Sequence, residues 1–311
     1  MKEISPRQPA GALAENLDQL IEAFLLSQDV SLKSKAVYRY ALKRFKAFLA
    51  EREAGGAVEY LTKTDLVQYK SHLLAQGLSP RTGNLYLTSV RQFFKFLESN
   101  RIYPDVTAGI RGFKRSYGFN RDPLTVQQAR DLLTSIDVSS FIGLRDYAMI
   151  NLMLRTGLRT MEVVGSDLGD IRQTSNATLL YIRSKGKDAK DEFVVLTREA
   201  YEPIAQYLAA RKCNDPHAAL FVSHSRSNDG DRLDTQTLRK GVKSRLAGIG
   251  VYSSRISAHS LRHTFATMAL ENGATIEQVR DALRHTNITT TQIYVHTGDR
   301  IEHAAEKTIK I

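Results

Sequence analysis

The chain has 311 residues, long enough for two domains of ordinary size. Hydrophobic residues make up 42% and charged residues 25%, a balance that excludes collagen-like, mucin-like and wholly disordered classes. Lys and Arg number 44 against 33 Asp and Glu, and the resulting +11 calls for a polyanionic partner, either nucleic acid or an anionic membrane surface.

Residues 1–13 carry Pro6 and Pro9 without periodicity and read as a flexible arm. Leu17, Leu20, Ile21, Phe24 and Leu25 then follow the spacing of one helix face. Val37, Tyr40, Ala41, Phe45, Phe48 and Leu49 repeat it, with Lys33, Lys35, Arg39, Lys43 and Arg44 off the stripe. Gly55-Gly56 breaks the chain, and a third helix is expected from Thr64-Asp65 to a C-cap at Gly77. Ser79-Pro80 reads as N-cap and first-turn proline of a fourth helix through Leu97, with Arg81 and Arg91 on it. Four amphipathic helices make residues 14–104 a small all-helical domain. Positive charge is concentrated in this half: residues 1–120 hold 18 basic and 11 acidic side chains, the rest 26 and 22. That density reads as a phosphate-tracking surface. Residues 105–122, with Arg111, Lys114 and Arg115, read as a basic linker.

The second domain is expected over 123–311 and is mixed. Thr125 with Gln128 forms a capping box, and another helix covers Phe141 to Thr156 and stops at Gly157. Residues 178–184 and 191–196 are strand-like around a polar turn, an antiparallel hairpin with a basic tip carrying Lys185, Lys187 and Lys190. Further helices are expected from Thr197, Asp234, His259, Thr275, Thr289 and Asp299, with a polar loop over 211–233. The fold class is therefore mainly α with a small antiparallel β-sheet. The single cysteine, Cys213, excludes a disulfide framework and a cysteine-based zinc site, and suits a reducing compartment. No run approaches the length of a transmembrane helix, and Met1 to Pro9 has no apolar signal core. A cytoplasmic protein without a membrane partner is expected.

The sequence has no Gly-x-x-x-x-Gly-Lys-Ser/Thr loop and no His-Glu-x-x-His. The second domain instead offers cations. Arg159 stands just after Gly157, with Glu162 one helical turn on to steady it. Lys185 sits on a turn, where its ammonium can reach a phosphate. His259 and Arg262 share a face at a helix start, where the N-terminal potential favours an anion. His263 is one step round and reads as structural. His285 precedes Tyr294 by nine residues.

The ordered set Arg159, Lys185, His259-x-x-Arg262, His285, Tyr294 resembles the tyrosine recombinases, the integrase group of site-specific DNA recombinases. The resemblance spans the whole chain and is similar to short Xer-type and transposon-type integrases. It implies an all-helical core-binding domain of SAM-like fold followed by a mixed α+β catalytic domain. It implies Tyr294 as the nucleophile that forms a 3′-phosphotyrosine. Arg159 and Arg262 would hold the non-bridging oxygens, Lys185 would protonate the leaving 5′-oxygen, and His259 and His285 would assist. Glu162 would support the site. No metal and no cofactor are implied, and the covalent bond conserves the ester's energy without ATP. The two domains would clamp duplex DNA carrying a recombination site, in a homotetramer on two sites, with accessory DNA-binding proteins as further partners. Ile301, Ala304, Ala305 and Ile309 form an apolar stripe on a C-terminal segment, 299–311, that such enzymes dock on the next protomer. Arg284 stands where the family carries Gly, open to DNA, to a neighbour or to solvent. A type IB topoisomerase shares the same chemistry and is the alternative.

Overall fold

A computed structural model describes residues 16–53, 61–114, 121–184, 189–285, 287–288, 291–292 and 294. The expected arm 1–13, the C-terminal segment 299–311, Arg115, Lys185 and Lys187 lie outside the described residues. The chain divides into two compact units, residues 1–117 and 118–311.

Among the described residues the first unit holds four helices, α1 (Leu17–Ser27), α2 (Leu32–Glu53), α3 (Lys63–Ala75) and α4 (Pro80–Ser99). The expected caps form. Ser79 Oγ accepts the Thr82 amide at 3.2 Å, and Gly77 turns the chain at φ 69°. Phe24, Phe45, Phe93, Phe94 and Tyr69 are fully buried at the centre. Phe45 meets the Tyr69 ring edge-on at 4.9 Å, a geometry that suits the ring quadrupoles.

The second unit adds α5 (Val126–Thr134), α6 (Phe141–Thr156) and α7 (Thr160–Val164), then β1 (Ile171–Gln173), β2 (Thr178–Ile182) and β3 (Glu192–Leu196). Helices α8 (Arg198–Arg211), α9 (Thr235–Gly248), α10 (Ala258–Glu271) and α11 (Ile276–Leu283) follow. The sheet is antiparallel in the order β1-β2-β3, with Leu180 opposite both Ile171 and Val194. The predicted hairpin is therefore present. Three elements have no counterpart in the sequence reading, the 3-10 turn Leu168–Asp170 among them. Helix α7 has five residues, too few for a periodicity, and β1 has three, of which Arg172 and Gln173 are exposed. Helix α6 is the central rod: Ala148, Met149, Ile150, Leu152 and Met153 are all buried. It ends where the site begins.

Candidate active site

Gly157 closes α6 in the left-handed region at φ 63°. A Cβ there would lie 2.6 Å from Phe265 Cδ1 and 2.7 Å from Leu283 Cδ2. Only glycine meets both demands without displacing a neighbour. Its carbonyl accepts Arg262 Nη1 at 2.7 Å, and the Leu283 carbonyl accepts Arg262 Nη2. Three elements thus meet on one guanidinium: the end of α6, the first turns of α10 and the end of α11. Arg262 is 2% exposed. Burial, then the neighbouring Arg159, disfavour its charge, and Glu162 offsets them. Such a cation is short of anionic partners and is suited to a ligand phosphate.

Arg159 leads into α7. Its Nη1 donates to Glu162 Oε1 at 2.7 Å, and its amide donates to Glu162 Oε2 at 2.7 Å. The Arg159 side chain keeps 28% of its surface exposed while that of Glu162 keeps 1%. The carboxylate is buried as an anchor and the guanidinium faces outward, as the i, i+3 spacing suggested.

His259 stands in the first turn of α10, exposed at the surface. Partial desolvation, then Arg262 and Arg159, hold its ring below the ordinary value. His285 follows α11, and its Nδ1 is hydrogen-bonded to Thr291 Oγ1 at 2.9 Å. Burial, then Arg262 and Arg159, push its pKa down to about 4, so the ring is neutral at pH 7. Tyr294 is 6% exposed and packs with Ala266, Val279 and Leu283. Burial pushes its phenol up to about 12, while Arg262 and Arg159 pull it back. In the ligand-free protein the hydroxyl is protonated at pH 7 and lies within the fields of two guanidiniums.

The structure thus brings Arg159, His259, Arg262, His285 and Tyr294 into one electrostatic neighbourhood, with Glu162 beneath. The His263 ring lies 4.7 Å from that of His259 and 5.4 Å from that of Tyr294, bridging the two. Thr291 and the Gly157 carbonyl were not foreseen. The i, i+3 and i, i+4 spacings within α10 carried a signal for His263, but only tertiary contact shows the other two. Lys190 is held by Asp167 at 2.6 Å and by Asp170, which ties it to the protein rather than to a ligand. Arg284 does not face solvent: its side chain is 8% exposed and reaches Glu162.

The basic residues of the first unit separate into two groups. Lys33, Lys43, Arg81, Arg111 and Lys114 reach solvent, and Lys35 is half-buried. Arg39 pairs with Glu22 at 2.7 Å. Arg44 lies 5.9 Å from the Tyr40 ring centre and 5.7 Å from that of Tyr86, and it donates to Gln76. Arg91 donates to the Ile110 carbonyl.

Residues 123–300 match the phage integrase family, and residues 17–101 match the phage integrase N-terminal SAM-like domain. The chain belongs to the phage integrase family. A tyrosine recombinase XerD from Listeria monocytogenes is 30% identical over 290 residues, covering 90% of this chain and 94% of that protein. The XerD of Rhizobium meliloti is 30% identical over 297 residues, covering 91% and 92%. Among solved structures, XerH site-specific recombinase bound to a palindromic difH substrate, in a post-cleavage complex, superposes with a TM-score of 0.73. Its identity is 21%, and the match covers 94% of this chain and 84% of that one, so it speaks for the fold. The protein is a tyrosine recombinase of the XerD-like kind, and nothing in these similarities favours the topoisomerase alternative.

Proposed function

We propose that the protein cuts and rejoins duplex DNA at a specific site through a 3′-phosphotyrosine on Tyr294. The observation that supports this best is Tyr294 buried within the fields of Arg262 and Arg159, which arrive from separate elements. A phosphodiester repels nucleophiles through its own charge, and its transition state gathers more charge on oxygen. Two fixed guanidiniums meet that charge without reorganising. Arg159 and Arg262 hold the non-bridging oxygens. The Tyr294 oxygen forms the bond to phosphorus as the bond to the 5′-oxygen breaks, and Lys185 gives that oxygen its proton. Neutral His285, with Thr291 on Nδ1, keeps Nε2 for the nucleophile's proton or for a phosphate oxygen. His259 adds a hydrogen bond from the rim. The released 5′-hydroxyl of a second strand reverses the step, so rejoining consumes no ATP.

In this reading residues 14–104 are the core-binding domain, 105–122 the linker and 123–311 the catalytic domain. Lys33, Lys43, Arg81, Arg111 and Lys114 track phosphates, with Arg115 and Lys187 alongside. Arg39, Arg44 and Arg91 already hold protein partners and contribute less. The working form is a homotetramer on two DNA sites. An apolar groove lined by Val126, Ala129, Leu133, Leu154, Phe265 and Met268 matches the C-terminal stripe Ile301, Ala304, Ala305 and Ile309 in character. Among the described residues no helix is long and apolar enough to cross a membrane. The protein works on the bacterial nucleoid in the cytoplasm.

The test is a covalent trap. The protein is incubated with sheared DNA from its own host, the reaction is stopped with detergent, and the attached fragments are sequenced. Attachment at a few related sites is expected. Attachment spread over unrelated sites points to a topoisomerase-like enzyme, and none at all contradicts the proposal.

A further inference from the structure

Arg284 is the residue that neither the motif nor the proposed chemistry uses. It follows α11 in the left-handed region, at φ 54° and ψ 46°, a conformation that favours glycine. A long cationic side chain there is doubly costly, because it is also buried. Burial disfavours its charge, and Glu162 and Glu192 offset that cost. Its Nη2 donates to Glu162 Oε2 at 2.9 Å, its Nη1 donates to the Ala282 carbonyl at 2.7 Å, and its Nε lies 3.7 Å from Glu192 Oε2. Glu162 is thereby shared: Arg159 takes Oε1, and Arg284 takes Oε2 together with the Arg159 amide. Glu192 is shared too, since the same Oε2 accepts the Ser184 hydroxyl at 2.6 Å. Glu192 opens β3, and Ser184 is the last described residue before the turn that carries Lys185.

These contacts form a line, Arg159, Glu162, Arg284, Glu192, Ser184, in which the Arg284–Glu192 step is an ion pair at 3.7 Å and not a hydrogen bond. We infer that Arg284 is a positioning residue that links the anion-holding Arg159 to Glu192 and Ser184 at the root of the β2–β3 hairpin through one ion network. The inference rests on the proposed strand-cleavage reading for its catalytic consequence, not for the link itself. Glycine at this position would relax the backbone and leave Glu162 and Glu192 unbridged. Lysine would keep the charge but lacks the fork that reaches two carboxylates at once. The three residues at the end of α11 then have three distinct duties. The Leu283 carbonyl holds Arg262, the Arg284 side chain holds Glu162, and His285 meets the substrate.

The test uses the full chain in two arms. The first is amide hydrogen exchange on the DNA-free protein, comparing wild type with R284G and R284K. Exchange is expected to rise roughly tenfold in two segments far apart in sequence, 157–163 and 178–196, in both variants. A residue that only terminates α11 would alter exchange at 276–285 alone, and R284G would behave better than R284K. That result overturns the inference. The second arm is covalent attachment to sheared host DNA. R284G and R284K are expected to fall roughly tenfold or more below wild type while binding the same DNA equally well. Unchanged attachment in R284G removes the catalytic consequence and refutes the positioning role. If the wild type itself fails to attach, strand cleavage by this protein is refuted, and the exchange arm still decides the link.

Discussion

Replacing Gly157 by alanine perturbs the joint on which the site is built. Two costs add. The left-handed conformation costs a residue with a Cβ about 1–2 kcal/mol. The new methyl would sit 2.6 Å from Phe265 and 2.7 Å from Leu283, so both side chains must move. Overpacking of this kind costs about 1–3 kcal/mol. Together they predict a loss of about 2–5 kcal/mol, which is roughly 5–15 °C in the melting temperature of a unit of this size. The chain tolerates Arg101, Lys212 and Arg284 at positive φ, so the conformation alone is not prohibitive. The contacts decide. Activity should fall further than stability, because the Gly157 and Leu283 carbonyls both hold Arg262. Thermal unfolding by circular dichroism reads the first effect, and covalent attachment to host DNA well below the melting temperature reads the second. A G157A protein that melts within about 1 °C of wild type would refute the packing argument.

Three further outcomes are expected. E162Q keeps the volume but removes the charge between Arg159 and Arg284; breaking a buried pair predicts a loss of about 3–5 kcal/mol in urea unfolding and attachment reduced at least tenfold. His285 and His263 are both pushed down to about 4 in the folded protein, against an unfolded value near 6.5. Between those values the unfolded chain binds more protons, so stability is full above about pH 6.5 and is lost as pH falls toward 4, and H285Q should flatten that slope in melting curves. DNA affinity should fall steeply with salt, by on the order of a thousandfold between 50 and 200 mM if about six phosphates are neutralised; a flat response in a filter-binding assay contradicts the basic surface.

Much of this was legible because local rules were strong. Ser79-Pro80, Thr125 with Gln128 and the run 191–196 each declare their structure in a few residues, and all three formed. The ordered set from Arg159 to Tyr294 was legible through its resemblance to the tyrosine recombinases, and the structure brings its described members together. What the sequence hid was tertiary. Thr291 has no signal until it meets His285, and the Gly157 carbonyl is a backbone atom common to every residue. Arg284 was visible as a departure from glycine, but its partner Glu192 lies on a strand of another motif. Positive charge was a coarser guide. It located the basic half of the chain but did not separate exposed Lys33 and Arg81 from Arg44, which lies against two tyrosine rings. Pairing, not composition, decides which cations remain for DNA.

The most direct measurement is the identity of the residue that carries the DNA. The chain has 13 tyrosines. After trapping on host DNA, nuclease digestion and proteolysis, mass spectrometry locates the nucleotide remnant. The account predicts it on Tyr294, with none formed by Y294F, which should still bind DNA nearly as wild type. A remnant on another tyrosine, or attachment that survives in Y294F, would contradict it.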